Sequence, residues 1–228
     1  MASQARAVFF DVDFTLIHPG PAFQGSGYRD FCARHGVEVQ VEAFERSVAQ
    51  ASPLLETTTA AYDPDIFVRY TGRIIEGMGG RGPGVERAAR EIYDEWAACH
   101  HFEMYPEVPD VLRSIRATGV KIGLISNTQR CLSTFAEHFE LVGLFDVSLS
   151  SYQHGFMKPH PSIFEAALQA VGSLPAEAVM VGDSLAHDIE GALAIGMRGV
   201  LVARAGRQPG TPAELPVIQS LRELPEHL

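Results

Sequence analysis

The sequence predicts an α/β protein: a parallel sheet covered by helices, with an all-helical segment inserted after the first strand. Three observations carry this expectation. From residue 107 onward, short continuous apolar runs alternate with helical stretches. One similar β-prone run, Ala7 to Phe10, stands alone near the start of the chain. Between Tyr28 and His101, apolar residues such as Phe31, Phe44, Val48, Ile66, Tyr70, Ile74, Ile92 and Trp96 recur at helical spacing with no strong strand among them.

The elements follow in order. Ala7 to Phe10 reads as a buried strand that runs into Asp11-Val12-Asp13, and His18-Pro19-Gly20-Pro21 breaks regular structure. The helical block holds about four helices, interrupted at Gly77 to Gly84 and closed by Tyr105-Pro106. Then come a helix over Glu107 to Thr118, a strand over Val120 to Ile125, a helix over Gln129 to Phe139 and a strand over Phe145 to Leu149. A helix over Pro161 to Val171, a strand over Ala178 to Val181, a helix over Leu185 to Ile195 and a strand over Gly199 to Val202 complete the alternation. A weaker strand near Val217 and a short terminal helix end the chain. Strands in such an alternation are buried on both faces, as in a parallel sheet with helices on each side. The division is a core of residues 1–17 and 105–228 with a helical insert of residues 18–104.

Composition limits the partners. The 228 residues carry 18 lysines and arginines against 28 aspartates and glutamates, a formal net charge of −10. A general nucleic-acid binder needs clustered cations, and a membrane-surface protein needs a basic patch, so both classes are excluded. No apolar run approaches the roughly 18 residues of a membrane span, and Met1 to Phe10 lacks the features of a leader. Cys32, Cys99 and Cys131 are odd in number and widely spaced, so the expectation is buried, reduced thiols in a cytoplasmic protein. Only two lysines occur, Lys121 and Lys158.

Ligands of open parallel sheets bind beyond the carboxyl ends of the strands. Every strand end here offers polar groups: Asp11, Asp13 and Thr15 after the first, Ser126 and Asn127 after the second, Lys158-Pro159 after the third, and Gly182-Asp183-Ser184 with Asp188 after the fourth. Asp11 and Asp13 project to one side of an extended chain, and Asp183 adds a third acid. Like charges so close repel. A hard divalent cation such as Mg²⁺ relieves that repulsion and often shares its shell with a phosphate. A lone DxDxT or a lone Ser126 means little, but four such groups in order at four strand ends define a site.

These residues resemble those of the haloacid dehalogenase-like hydrolase superfamily. DVDFT at 11–15 is similar to its first motif, Ser126 after a strand to its second, Lys158-Pro159 to its third and GDSLAHD at 182–188 to its fourth. The resemblance spans essentially the whole chain. The insert is similar to a C1-type helical cap, of four-helix-bundle type, on a Rossmann-like core, as in phosphoglycolate phosphatase-like members. The resemblance implies a Mg²⁺-dependent phosphatase acting through an aspartyl-phosphate. Asp11 is the implied nucleophile and Asp13 the acid and base. Asp11, Asp183 and the backbone carbonyl of Asp13 are the implied metal ligands. Ser126, the Asn127 backbone and a mobile Lys158 would bind phosphate. Thr15, Ser184 and Asp188 would stand behind them, with Asp188 orienting Lys158 or a metal-bound water. Phe14 stands where glycine is usual, which implies a reshaped flap.

The alternatives are distinguishable. A 2-haloacid dehalogenase needs neither metal nor a proton donor, so Asp13 and Asp183 argue against it. A phosphonate-cleaving enzyme with a cap lysine is excluded, because residues 18–104 contain none. A phosphosugar mutase of the same superfamily keeps all four motifs. A non-catalytic binding module would be expected to lack Asp11 or Asp13. The substrate is read as a small phosphorylated metabolite, with His18, Arg69 and Arg73 as specificity candidates and a monomer or homodimer as the assembly.

Overall fold

The computed structural model describes residues 5–56, 61–207 and 209–228. Residues 1–4, part of the stretch read as lacking a leader, lie outside them. The chain divides into two compact units, one of Met1–His18 with Met104–Leu228 and one of Pro19–Glu103.

The first unit is a six-stranded sheet. Its strands are β1 (Ala7–Phe10), β4 (Lys121–Ser126), β5 (Val147–Ser150), β6 (Ala178–Gly182), β7 (Arg198–Val202) and β8 (Val217–Ile218), in the order β5-β4-β1-β6-β7-β8 with every pair parallel. β1 is central and wholly buried, which is why its sequence is apolar on both faces. Helices α6 (Val108–Ala117), α7 (Leu132–His138), α8 (Ser151–His154) and α9 (Pro161–Val171) lie in the connections. On one face, α9 packs Ile163, Phe164, Ala167 and Leu168 against Phe9, Ile125 and Met180. Pro161 opens α9 and Gly172, left-handed at φ 67°, closes it. The stretch expected as one helix over Leu185 to Ile195 is instead a π-helical turn, Leu185–Glu190, followed by a short α10 (Gly191–Ala194). The tail is a 3₁₀ turn, Leu221–His227, opened by a capping box of Ser220 and Glu223.

The second unit is helical: α1 (Gly25–Arg34), α2 (Phe44–Ala51), a one-turn α3 (Pro53–Glu56), α4 (Pro64–Gly77) and α5 (Gly84–Glu95). Asp63 caps α4 by accepting from the Asp65 N–H, with Pro64 at the first helical position. Helix α4 packs on α5 and α2, and α1 on α5. Phe23, Trp96 and Phe102 form an aromatic cluster, with ring centroids 4.5 Å apart for Phe23–Trp96 and 5.0 Å for Trp96–Phe102. Two short strands the sequence did not announce, β2 (Ile17–Pro19) and β3 (Phe102–Met104), form a separate sheet. Among the described residues, no helix is long and apolar enough to cross a membrane.

One expectation about the thiols is corrected. Cys32 and Cys99 are buried, but Cys131 is exposed. It occupies the N-cap of α7, where its Sγ lies 3.1 Å from Ser133 Oγ. Hydrogen bonds from Ser133 and Thr134 bring its thiol down to about 7.

Candidate active site

Sheet register assembles the site. Phe10 is level with Leu124 on one side and Val181 on the other. Asp11, Ser126 and Asp183 therefore leave the sheet at the same edge, and the Asp11 N–H donates to the Val181 carbonyl at 2.9 Å.

The centre is a buried ammonium. Lys158 Nζ donates to Asp11 Oδ1 at 2.6 Å and to the Ile125 carbonyl at 2.7 Å, and pairs with Asp188 Oδ1 at 2.6 Å. An ammonium has three protons, and all three have partners. Lys158 is thus a fixed charge, not the mobile one the sequence suggested. Desolvation alone would lower its proton affinity, but the charges of Asp11 and Asp188 outweigh it and hold the ammonium above its ordinary range. Its main chain is fixed too. The Asn127 side chain donates to the Lys158 carbonyl at 2.9 Å and accepts from its N–H at 2.7 Å. The sequence reading gave Asn127 only a backbone role.

Asp11 is desolvated, and that effect, with the nearby charges of Asp188 and Asp13, pushes its carboxyl up to about 7 against the pull of Lys158. Asp183 is exposed at the rim, with neighbouring protein on its inner side partly desolvating the carboxyl. That desolvation comes first and the charges of Asp11 and Asp188 second in holding it well above the ordinary range.

The fourth motif is shaped by Gly182. A Cβ there would fall 2.2 Å from Asp188 Oδ2, so only glycine lets the carboxylate lie against the strand. The same oxygen accepts from the Ser184 N–H at 3.0 Å, and Ser184 Oγ accepts from the His187 N–H at 3.1 Å. Asp188 is thereby aimed at Lys158 from within the π-helical turn, a feature often found at functional sites.

The loop after β1 is held by two arginines that the sequence reading did not single out. Arg130 Nη1 lies 2.6 Å from Asp13 Oδ1. Arg204 Nη2 donates to the Thr15 carbonyl at 2.9 Å while its Nη1 donates to Glu107 Oε1 at 2.8 Å. The Arg204 guanidinium carbon lies 3.2 Å from the Tyr105 ring centroid. Arg130 follows Ser126 by four residues in a strand-end loop, so extending the strand-end rule along that loop finds it. Phe14 is left-handed at φ 62°, with its N–H donating to the Ile17 carbonyl at 2.6 Å. Thr15 is fully buried at the end of this turn.

The remaining candidates are placed as follows. Ser126 is buried at the end of β4. His18 packs its ring 4.8 Å from that of Tyr105. Arg69 and Arg73, on α4 in the helical unit, pair with Asp63 at 3.3 Å and Glu76 at 3.1 Å. One carboxylate oxygen from each of Asp11, Asp183 and Asp188 lies within 4.8 Å of the other two, while the Asp13 carboxylate turns to Arg130. Three acids against one ammonium, all oxygen donors, fit a hard divalent cation. In the helical unit, Glu95, His100 and His101 also bring one ligand atom each within 4.8 Å of one another, and His101 Nε2 lies 2.8 Å from Glu95 Oε2.

A family model described as haloacid dehalogenase-like hydrolase matches residues 5–196. The chain is 30% identical to haloacid dehalogenase-like hydrolase domain-containing protein 3 of Danio rerio, covering 100% of this chain and 98% of that protein. It is 29% identical to a phosphoserine phosphatase of Thermus thermophilus, covering 96% and 97%. Among solved structures, a HAD phosphatase of Thermococcus onnurineus superposes with a TM-score of 0.67 at 26% identity, covering 97% of each chain. A 2-haloacid dehalogenase of Pseudomonas syringae superposes at 0.63 and 25% identity, covering 98% of this chain and 97% of that one.

Proposed function

The chain belongs to the haloacid dehalogenase-like hydrolase family, and from that premise we propose that it is a Mg²⁺-dependent phosphatase that cleaves a small phosphomonoester through an aspartyl-phosphate on Asp11. The observation that carries the reading is the Lys158 ammonium bridging Asp11 and Asp188 at 2.6 Å each, with Asp183 beside them. A nucleophilic carboxylate approaching a phosphate dianion needs fixed positive charge, and this cluster supplies and orients it. Relatives named as phosphatases support the same chemistry, and the retained Asp13 and Asp183 favour it over dehalogenation.

Lys158 grips Oδ1 of Asp11, which leaves Oδ2 to attack phosphorus. As the new O–P bond forms, the bond to the leaving oxygen breaks and Asp13 gives that oxygen its proton. In the second half, water attacks phosphorus, Asp13 takes a proton from it, and the Asp11–phosphorus bond breaks. Both carboxylates return to their starting states. Asp11, Asp183 and the Asp13 carbonyl would hold Mg²⁺, which when bound offsets the charge of the phosphoryl group. Ser126 and the Asn127 N–H would bind phosphoryl oxygens, and Thr15, Ser184 and Asp188 would keep the loops in place. Arg69 and Arg73 are engaged with acidic neighbours, so His18 is the first specificity candidate to test. The partner is a diffusing metabolite in the cytoplasm, met by a monomer or homodimer.

The test is phosphate release from p-nitrophenyl phosphate and a panel of metabolites. Release with Mg²⁺, its loss with EDTA and its loss in Asp11→Asn support the reading. Turnover that persists in Asp11→Asn contradicts it.

A further inference from the structure

We propose that Arg130 is a positioning residue for proton transfer: by gripping Asp13 at Oδ1 it fixes the carboxylate plane in which Asp13 delivers and retrieves the proton. The proposal rests on the roles given above to Asp11 and Asp13. Arg130 is among the largest fully buried side chains of the described residues, and its side chain is 0% exposed. A buried guanidinium is costly to desolvate, and apolar side chains of similar volume often pack as well, so packing alone gives no reason for an arginine here. Its Nη1 lies 2.6 Å from Asp13 Oδ1, across 117 residues of sequence.

The anchor is rigid at its own end. The Arg130 N–H donates to the buried Thr128 Oγ1 at 3.0 Å, and the Thr128 carbonyl accepts from the Tyr152 N–H at 3.3 Å. The next residue, Cys131, is the N-cap of α7. The clamp thus hangs between the end of β4 and a helix, whereas Asp13 lies in a tight turn around the left-handed Phe14. A planar, permanently charged guanidinium fixes a carboxylate plane in a way that a rotating ammonium does not. Proton transfer is sensitive to that plane, because the donor oxygen has to meet the leaving oxygen as the P–O bond breaks.

The experiment compares two substrates. p-Nitrophenolate leaves without a proton, whereas an alkoxide needs one. kcat/KM reports the half-reaction in which the leaving group departs. For Arg130→Met, kcat/KM on an alkyl phosphate should fall on the order of 10²-fold, and on p-nitrophenyl phosphate by less than about threefold. Arg130→Lys should show the same asymmetry with a smaller loss, and it carries the test if circular dichroism shows that the methionine variant does not fold. In an Asp13→Asn background, Arg130→Lys should remove nothing further on the alkyl phosphate. Equal losses on both substrates, or no loss on either, overturn the role of Arg130. Turnover in the Asp11→Asn control overturns the underlying phosphatase reading instead, so the two failures are separable.

Discussion

Replacing Asp11 by asparagine should abolish turnover and at the same time stabilise the metal-free protein. Asparagine keeps the shape of the side chain and removes one charge from a cluster with three carboxylates and one ammonium. Burial pushes the Asp11 carboxyl from 3.8 to about 7. The native fold therefore favours the neutral form. The stability tied to this group is intact below the ordinary value of 3.8 and is lost as pH climbs through about 7. Each unit is worth about 1.4 kcal/mol, which sets a ceiling of about 4 kcal/mol above pH 8. Loss of the Asp11–Lys158 attraction, which helps hold the ammonium above its ordinary range, and local relaxation around the charge both reduce this, so about 2 kcal/mol is expected, or a rise in Tm of roughly 4–8 °C for a chain of this size. The assay is thermal and urea unfolding of both proteins in EDTA from pH 5 to 8.5. The gain of the asparagine variant should grow with pH and level off above about 7. A variant less stable than the parent at pH 8.5 refutes the reasoning, because it makes the Asp11–Lys158 pair a net stabiliser.

Further predictions follow from individual residues. Gly182→Ala places a methyl 2.2 Å from Asp188 Oδ2, so it should displace Asp188 from Lys158 and lower kcat at least about tenfold while the circular dichroism spectrum is kept. Glu140, left-handed at φ 56° just beyond α7, strains its backbone for no catalytic reason; Glu140→Gly should raise Tm by about 2–4 °C, read by calorimetry, with kcat unchanged. Cys131, exposed with its thiol near 7, should be alkylated by iodoacetamide at neutral pH well before Cys32, which burial pushes up to about 11; peptide mapping checks the order.

The sheet was legible because its strands are continuous apolar runs, and the strand ends were legible because a charged residue directly after such a run stands out. Asp11 after Phe10 and Asp183 after Gly182 are of this kind. What escaped the sequence lies in contacts between distant segments. Nothing local to Arg130 announces Asp13, and nothing local to Arg204 announces Thr15, since 117 and 189 residues intervene. The fixity of Lys158 was hidden for the same reason: its three partners come from three different strand ends. The segment after Ser184 has apolar residues at helical spacing, so it read as one α-helix. In the fold, Ser184 accepts from the His187 N–H while its own N–H turns to Asp188, and the turn opens to a π-helical one. Cys131 read as buried because cysteine usually is, whereas its place at the start of a seven-residue helix leaves it outside.

The central claim is that phosphate passes through Asp11. Acid quench during steady turnover of a phosphomonoester, followed by peptide mapping, tests it most directly. A phosphoryl group on the peptide that contains Asp11, absent from the Asp11→Asn protein, is the predicted result. Phosphate release at full rate with no phosphoryl group on that peptide would contradict the account.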